Sequence, residues 1–94
     1  MRAEGTTRRF VVRGRVQGVG FRWFVLREAT QLDLEGFVRN LADGSVEVLV
    51  RGPNPAVGLL EAHLTKGPGS ASVQSVEKED APHDVKLPKP FGVR

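Results

Sequence analysis

The 94-residue sequence has no cysteine, which excludes disulfides, thiolate metal sites and a cysteine nucleophile. That composition suits a reducing compartment. No apolar run approaches the roughly 18 residues that cross a bilayer as a helix. The leading Met1-Arg2-Ala3-Glu4-Gly5-Thr6-Thr7 lacks the apolar stretch of a signal peptide. A soluble cytoplasmic protein with no membrane partner is therefore expected. Histidine is scarce. His63 falls in a helical stretch and His83 in a proline-rich one, with no H-x-x-x-H spacing and no flanking carboxylate pair. No metal site and no cofactor are expected from that set. The GxGxxG and Walker patterns are absent, so neither a dinucleotide nor an ATP site follows, and nothing presents a nucleophile elbow.

The charge that is present is unevenly placed. The net charge is +3, yet residues 1–27 hold seven arginines and one acid, Glu4, while residues 28–94 hold seven basic and ten acidic side chains. Basic character is concentrated around Gly14-Arg15-Val16-Gln17-Gly18-Val19-Gly20-Phe21-Arg22, where three glycines fall within seven residues. That concentration points to an anionic ligand near the loop, either a small phosphate or a nucleic acid. The preceding residues are β-branched and read as a strand; the following ones read as a helix. At such a junction the first helical N–H groups lack internal partners, the helix dipole adds partial positive charge, and glycine permits close approach. Arg22 in the first turn adds a bidentate fork for phosphate or carboxylate. The plainer reading stands beside this one: glycines mark a turn and arginines face solvent.

The length allows one domain with a small core, taken as 1–94, with 1–6 a flexible lead-in. Strand one is expected over 7–13. A helix follows over 21–34, where Phe21, Val25, Ala29 and Leu32 share one face and Trp23 and Arg27 the opposite one. On that pattern Trp23 is read as a packed or half-exposed aromatic in preference to a ligand platform. Gly36 is read as the helix stop. Strand two follows over 37–41, and Asp43-Gly44 is a hairpin signal leading to strand three over 46–51. Asn54 is the expected N-cap of a helix over 55–66, with Val57, Leu60 and Leu64 buried and Gly67-Pro68 ending it. An acidic strand over 73–80 suits a solvated edge. Residues 81–90, with three prolines, read as loop, and 91–94 as a short final strand. The order is βαββαβ plus a terminal strand: a ferredoxin-like α+β sandwich, both helices on one face of an antiparallel sheet and the other face open. That fold hosts unrelated functions and decides none.

Asn40 is the polar residue left to explain. It shares a strand face with Val38, against its propensity. Two ordinary readings are a residue beside the hairpin turn and one facing solvent; a place in a site is the third.

At this point the motifs carry a resemblance. The loop from Gly14 to Arg22 resembles the first signature of the acylphosphatase family. Gly36-Phe37-Val38-Arg39-Asn40-Leu41-Ala42-Asp43-Gly44-Ser45-Val46, with Gly52 six residues on, resembles its second. Gly67-Pro68-Gly69-Ser70-Ala71-Ser72-Val73 and Phe91-Gly92-Val93-Arg94 also resemble family segments, so that the similarity covers about residues 8–94. The resemblance implies a metal-free enzyme that hydrolyses a small-molecule acyl phosphate to a carboxylate and inorganic phosphate. Carried over by position, Arg22 binds the phosphoryl group together with backbone N–H groups of Arg15, Val16, Gln17, Gly18, Val19, Gly20 and Phe21, and Asn40 orients the attacking water. Gln17 and Arg15 are given loop-shaping roles. A monomer is expected.

The residue types fit that chemistry. Asn is no useful base near neutral pH, and Arg stays protonated. A site made of them lacks a proton shuttle and suits a leaving group already stable as an anion, such as a carboxylate. Two other readings stand beside this one. A ferredoxin-like nucleic-acid module fits the basic N-terminal third, but Phe10, Phe37 and Phe91 are isolated along their strands, without the aromatic cluster that single-strand readers use. A domain excised from a larger enzyme, as in the hydrogenase-maturation carbamoyltransferases with a similar first motif, is less expected than a free-standing protein.

Overall fold

The computed structural model describes residues 5–94; residues 1–4 of the expected lead-in lie outside the described residues. The chain runs β1 (Gly5–Arg15), α1 (Phe21–Gln31), β2 (Glu35–Asn40), β3 (Val46–Pro53), α2 (Asn54–Lys66), β4 (Ser72–Asp80) and β5 (Gly92–Val93). Gly5 and Thr6, expected in the lead-in, pair with Pro53 and Gly52 and are strand. The five strands form one sheet in the order β4-β1-β3-β2-β5. All neighbours are antiparallel except β2 and β5, which run parallel with Phe37 opposite Gly92. No helix among the described residues is long and apolar enough to cross a membrane.

Period-two alternation builds the core. Phe10 and Val12 of β1, Val38 of β2 and Val46, Val48 and Val50 of β3 point to the same face and are completely buried there. Phe21, Val25 and Ala29 of α1 and Val57, Leu60 and Leu64 of α2 close over them. Each valine, leucine and phenylalanine among them contributes roughly 1.5–3 kcal/mol by leaving water, so this layer fixes the register of β1, β2 and β3.

Two helix boundaries differ from the sequence pattern, each for a local reason. Helix α1 ends before Gly36. The Asp33 N–H donates to the Thr30 carbonyl and the Leu34 N–H to the Ala29 carbonyl, with Asp33 in the left-handed region at φ 58°. This is a Schellman cap in which Asp, not Gly, takes the left-handed position. Gly36 instead lies inside β2, where an added Cβ would come within 1.9 Å of the Leu49 carbonyl oxygen. Asn54 is the first helical residue of α2, not its cap; Pro53 holds the cap position, and the Asn54 side-chain oxygen accepts from the Thr6 hydroxyl at 3.1 Å.

The sheet face away from the helices is partly covered. Residues 81–90 cross it from β1 to β2. The Ala81 N–H donates to the Thr7 carbonyl, Arg51 Nη1 to the carbonyls of His83 and Val85, and the Gly36 N–H to the Pro88 carbonyl. Prolines at 82, 88 and 90 remove the N–H groups that a further strand needs, so the segment contributes mainly acceptors. It delivers the chain to β5, the short closing strand.

Candidate functional site

Strand β1 leads into the glycine loop through an irregularity. Its pairing with β4 slips between Arg13 and Gly14, with Gln74 of β4 left as the extra, unpaired residue. Val16 on one side of the loop and Phe21 on the other are almost completely buried, so the segment between them is fixed at both ends. Gly18 and Gly20 take φ 74° and 77°, and an added Cβ at either would meet nothing within 4 Å. Their requirement is conformational, and the space beside them is open. Gly20 caps α1 with no side-chain hydrogen bond to the first turn. The orphan N–H groups of that turn are thus not occupied by a capping side chain.

Two side chains brace the loop. The Gln17 amide Nε2 donates to the carbonyl of Leu41 at 2.8 Å and to that of Ser45 at 2.9 Å, binding the loop to the β2–β3 turn. The Ser70 hydroxyl donates to the Val19 carbonyl at 2.9 Å, binding it to the segment before β4. The β2–β3 turn is itself held by hydrogen bonds. Asp43 accepts from the Ser45 hydroxyl and N–H and from Arg13 Nη1. Those bonds, the Ser45 hydroxyl first, hold the Asp43 carboxyl down at a pKa of about 2.

Between loop, helix N-terminus and the end of β2 lies a cavity of about 160 Å³, lined by Val16, Gly18, Gly20, Phe21, Arg22, Trp23 and Asn40. Arg22 reaches it from the first turn of α1, with Nη1 donating to the main-chain oxygen of Arg94 at 2.9 Å. One bond leaves most of the guanidinium's five N–H groups for a ligand. Asn40 arrives from the last residue of β2 and is exposed there. The cavity thus brings Val16, Gly18, Gly20, Phe21, Arg22 and Asn40 together. It does not include the side chains of Arg15, Gln17 or Val19: Arg15 is exposed, Gln17 faces the hairpin, and Val19 packs on the core. Trp23, expected as packed or half-exposed, is 66% exposed and lines the cavity. Its signal in the sequence is its place opposite the buried face of the helix, next to Arg22.

The basic N-terminal third is distributed differently from the expected cluster at the loop. Arg9 and Arg13 stand on the far side of the sheet and bind Glu47, Glu77 and Asp43, while Arg8 binds Asp80. Register, which composition does not carry, neutralises these arginines. The histidines are also engaged, His83 Nδ1 with the Thr7 hydroxyl at 2.9 Å and His63 near Glu28 at 3.4 Å. Among the described residues, no group of three or more His, Cys, Asp or Glu could hold a metal ion.

Comparison with known proteins agrees with the motifs. The Acylphosphatase family model matches residues 8–91. An acylphosphatase of Koribacter versatilis is 53% identical over 87 residues, covering 93% of this chain and 79% of its own. The structure of an acylphosphatase from Coxiella burnetii superposes with a TM-score of 0.87 at 37% identity, covering 96% of this chain and 93% of that one. T. kodakarensis HypF contains a similar unit, with a TM-score of 0.81 at 32% identity, covering 95% of this chain but 12% of the HypF chain.

Proposed function

The chain belongs to the acylphosphatase family, and from that premise we propose that it hydrolyses acyl phosphates at the cavity joining Arg22, Asn40 and the glycine loop. The observation that supports the assignment most is the convergence of three kinds of group on one small space. These are a guanidinium, an amide and the uncapped N-terminus of α1. Arg22 and the backbone N–H groups between Arg15 and Phe21 hold the phosphoryl oxygens, and the Asn40 amide orients a water for in-line attack on phosphorus. The water oxygen bonds to phosphorus as the P–O bond to the acyl group breaks, releasing a carboxylate and inorganic phosphate. The water's proton passes to a phosphoryl oxygen, since Val, Gly, Phe, Trp, Arg and Asn offer no base near neutral pH. Catalysis then rests on positioning and on charge stabilisation, the main protein contributions to phosphoryl transfer.

The inventory also sets the substrate class. A carboxylate leaves unprotonated, because its acid has a pKa of roughly 4–5. An alkoxide or phenoxide needs an acid or a metal that these residues do not supply. The test is hydrolysis of benzoyl phosphate with and without EDTA, beside phenyl phosphate. Turnover of benzoyl phosphate that survives EDTA, with little of phenyl phosphate, is expected. Complete loss with EDTA would overturn the metal-free reading.

A further inference from the structure

From the position of Trp23 we infer that its indole is the platform for the acyl group of the substrate, and that it favours aromatic or bulky apolar acyl phosphates over acetyl phosphate. The inference rests on the phosphoryl site proposed above and concerns the other half of the molecule bound there.

Helix geometry first removes a structural reason for the residue. Phe21, Val25 and Ala29 mark the buried stripe of α1. Trp23, two residues after Phe21, is turned about 200° away at roughly 100° per residue. It is 66% exposed, where an ordinary surface helix position holds a polar side chain. Leaving so much indole in water gains nothing for the fold.

The cavity is too small for a whole acyl phosphate with a bulky acyl group. About 160 Å³ is well short of the roughly 300–1,000 Å³ of pockets that enclose a whole small molecule. Arg22, Asn40 and the loop claim that space for the phosphoryl group, so the acyl group must leave over the rim. Val16 and Phe21 are about 1% exposed and have no face to offer it, while Gly18 and Gly20 have no side chain. Trp23 alone among the lining residues presents a large apolar surface at the rim. Leu59, also exposed and apolar, lies on α2 and is not part of the lining. An aromatic acyl group stacks on an indole face; an acetyl group is too small to cover it.

The test compares Trp23→Ala and Trp23→Phe with the parent on benzoyl phosphate and acetyl phosphate, with inorganic phosphate as inhibitor. In Trp23→Ala, kcat/KM for benzoyl phosphate should fall about tenfold, mainly through KM, against no more than about twofold for acetyl phosphate. Phosphate inhibition should keep its constant, because the phosphoryl contacts remain. Trp23→Phe should recover most of the benzoyl preference. An equal fall for both substrates, or no fall for either, would overturn the platform role while leaving acyl phosphate hydrolysis standing. A parent protein inactive on both substrates would overturn the proposed function and this inference with it.

Discussion

The two ends of the arginine set behave oppositely. On the sheet face away from the helices, Arg9 and Arg39 grip Glu47, Arg13 spans Glu77 and Asp43, and Arg51 holds Glu35. Glu47, at 5% exposure, is enclosed among these cations. Burial raises its carboxyl pKa, but the bonds from Arg9 and Arg39 outweigh that and hold it below the usual range. At the glycine loop, Arg22 binds a main-chain oxygen and faces a cavity. The first set knits four strands together, and the second leaves positive charge beside an uncapped helix N-terminus. The two sets differ in their partners, which the number of arginines does not reveal.

The largest effects should come from the cavity. Arg22→Ala and Asn40→Ala should each lower benzoyl phosphate turnover by about 10²–10³-fold, the cost of losing a transition-state contact. They should separate in binding. Phosphate should still raise the melting temperature of Asn40→Ala and should fail to do so for Arg22→Ala. Unchanged phosphate protection in Arg22→Ala would erase the contrast between the two regions. On the sheet face the pattern should invert. Glu47→Ala leaves Arg9 and Arg39 facing each other without their carboxylate and should cost about 2 kcal/mol in a denaturant titration, less than a fully buried pair because both arginines touch solvent. Its turnover at a temperature where it stays folded should match the parent. Gln17→Ala joins the regions: losing the bonds to Leu41 and Ser45 should cost about 1 kcal/mol, with reduced turnover as the loop loosens from the strand carrying Asn40.

The smallest effect is in acid. The Asp43 carboxyl titrates at about 2 in the fold against an ordinary 3.8. A depressed carboxyl stabilises fully above its unfolded value, and that stabilisation is lost as pH falls through the folded one. Melting temperature should therefore fall as pH drops from about 4 toward 2, and Asp43→Asn should flatten part of that slope. Glu47 acts in the same direction. An identical slope in Asp43→Asn would mean that the hairpin carboxylate does not contribute to it.

Much of this architecture was written in local pattern. The alternation of Val46, Val48 and Val50, the Asp43-Gly44 turn and the spacing of Phe21, Val25 and Ala29 are short-range signals, and each appears in the structure. What the pattern hid depends on partners far along the chain. Arg13 and Glu77 lie 64 residues apart, and only the strand register brings them together. The helix end at Asp33 uses a non-glycine left-handed residue, which composition does not announce. For the site, the motifs around Arg22 and Asn40 were legible, whereas the exposure of Trp23 at the cavity rim and the bracing by Ser70 required the folded geometry.

The leaving group tests the proposed phosphoryl site, with its lack of a proton shuttle, more sharply than any substitution. The measurement is kcat/KM of the parent protein for benzoyl phosphate and phenyl phosphate at one pH in the presence of EDTA. Ready turnover of benzoyl phosphate and little of phenyl phosphate is expected. Comparable turnover of both would mean that some group at the cavity delivers a proton, and a site without a proton shuttle would be ruled out.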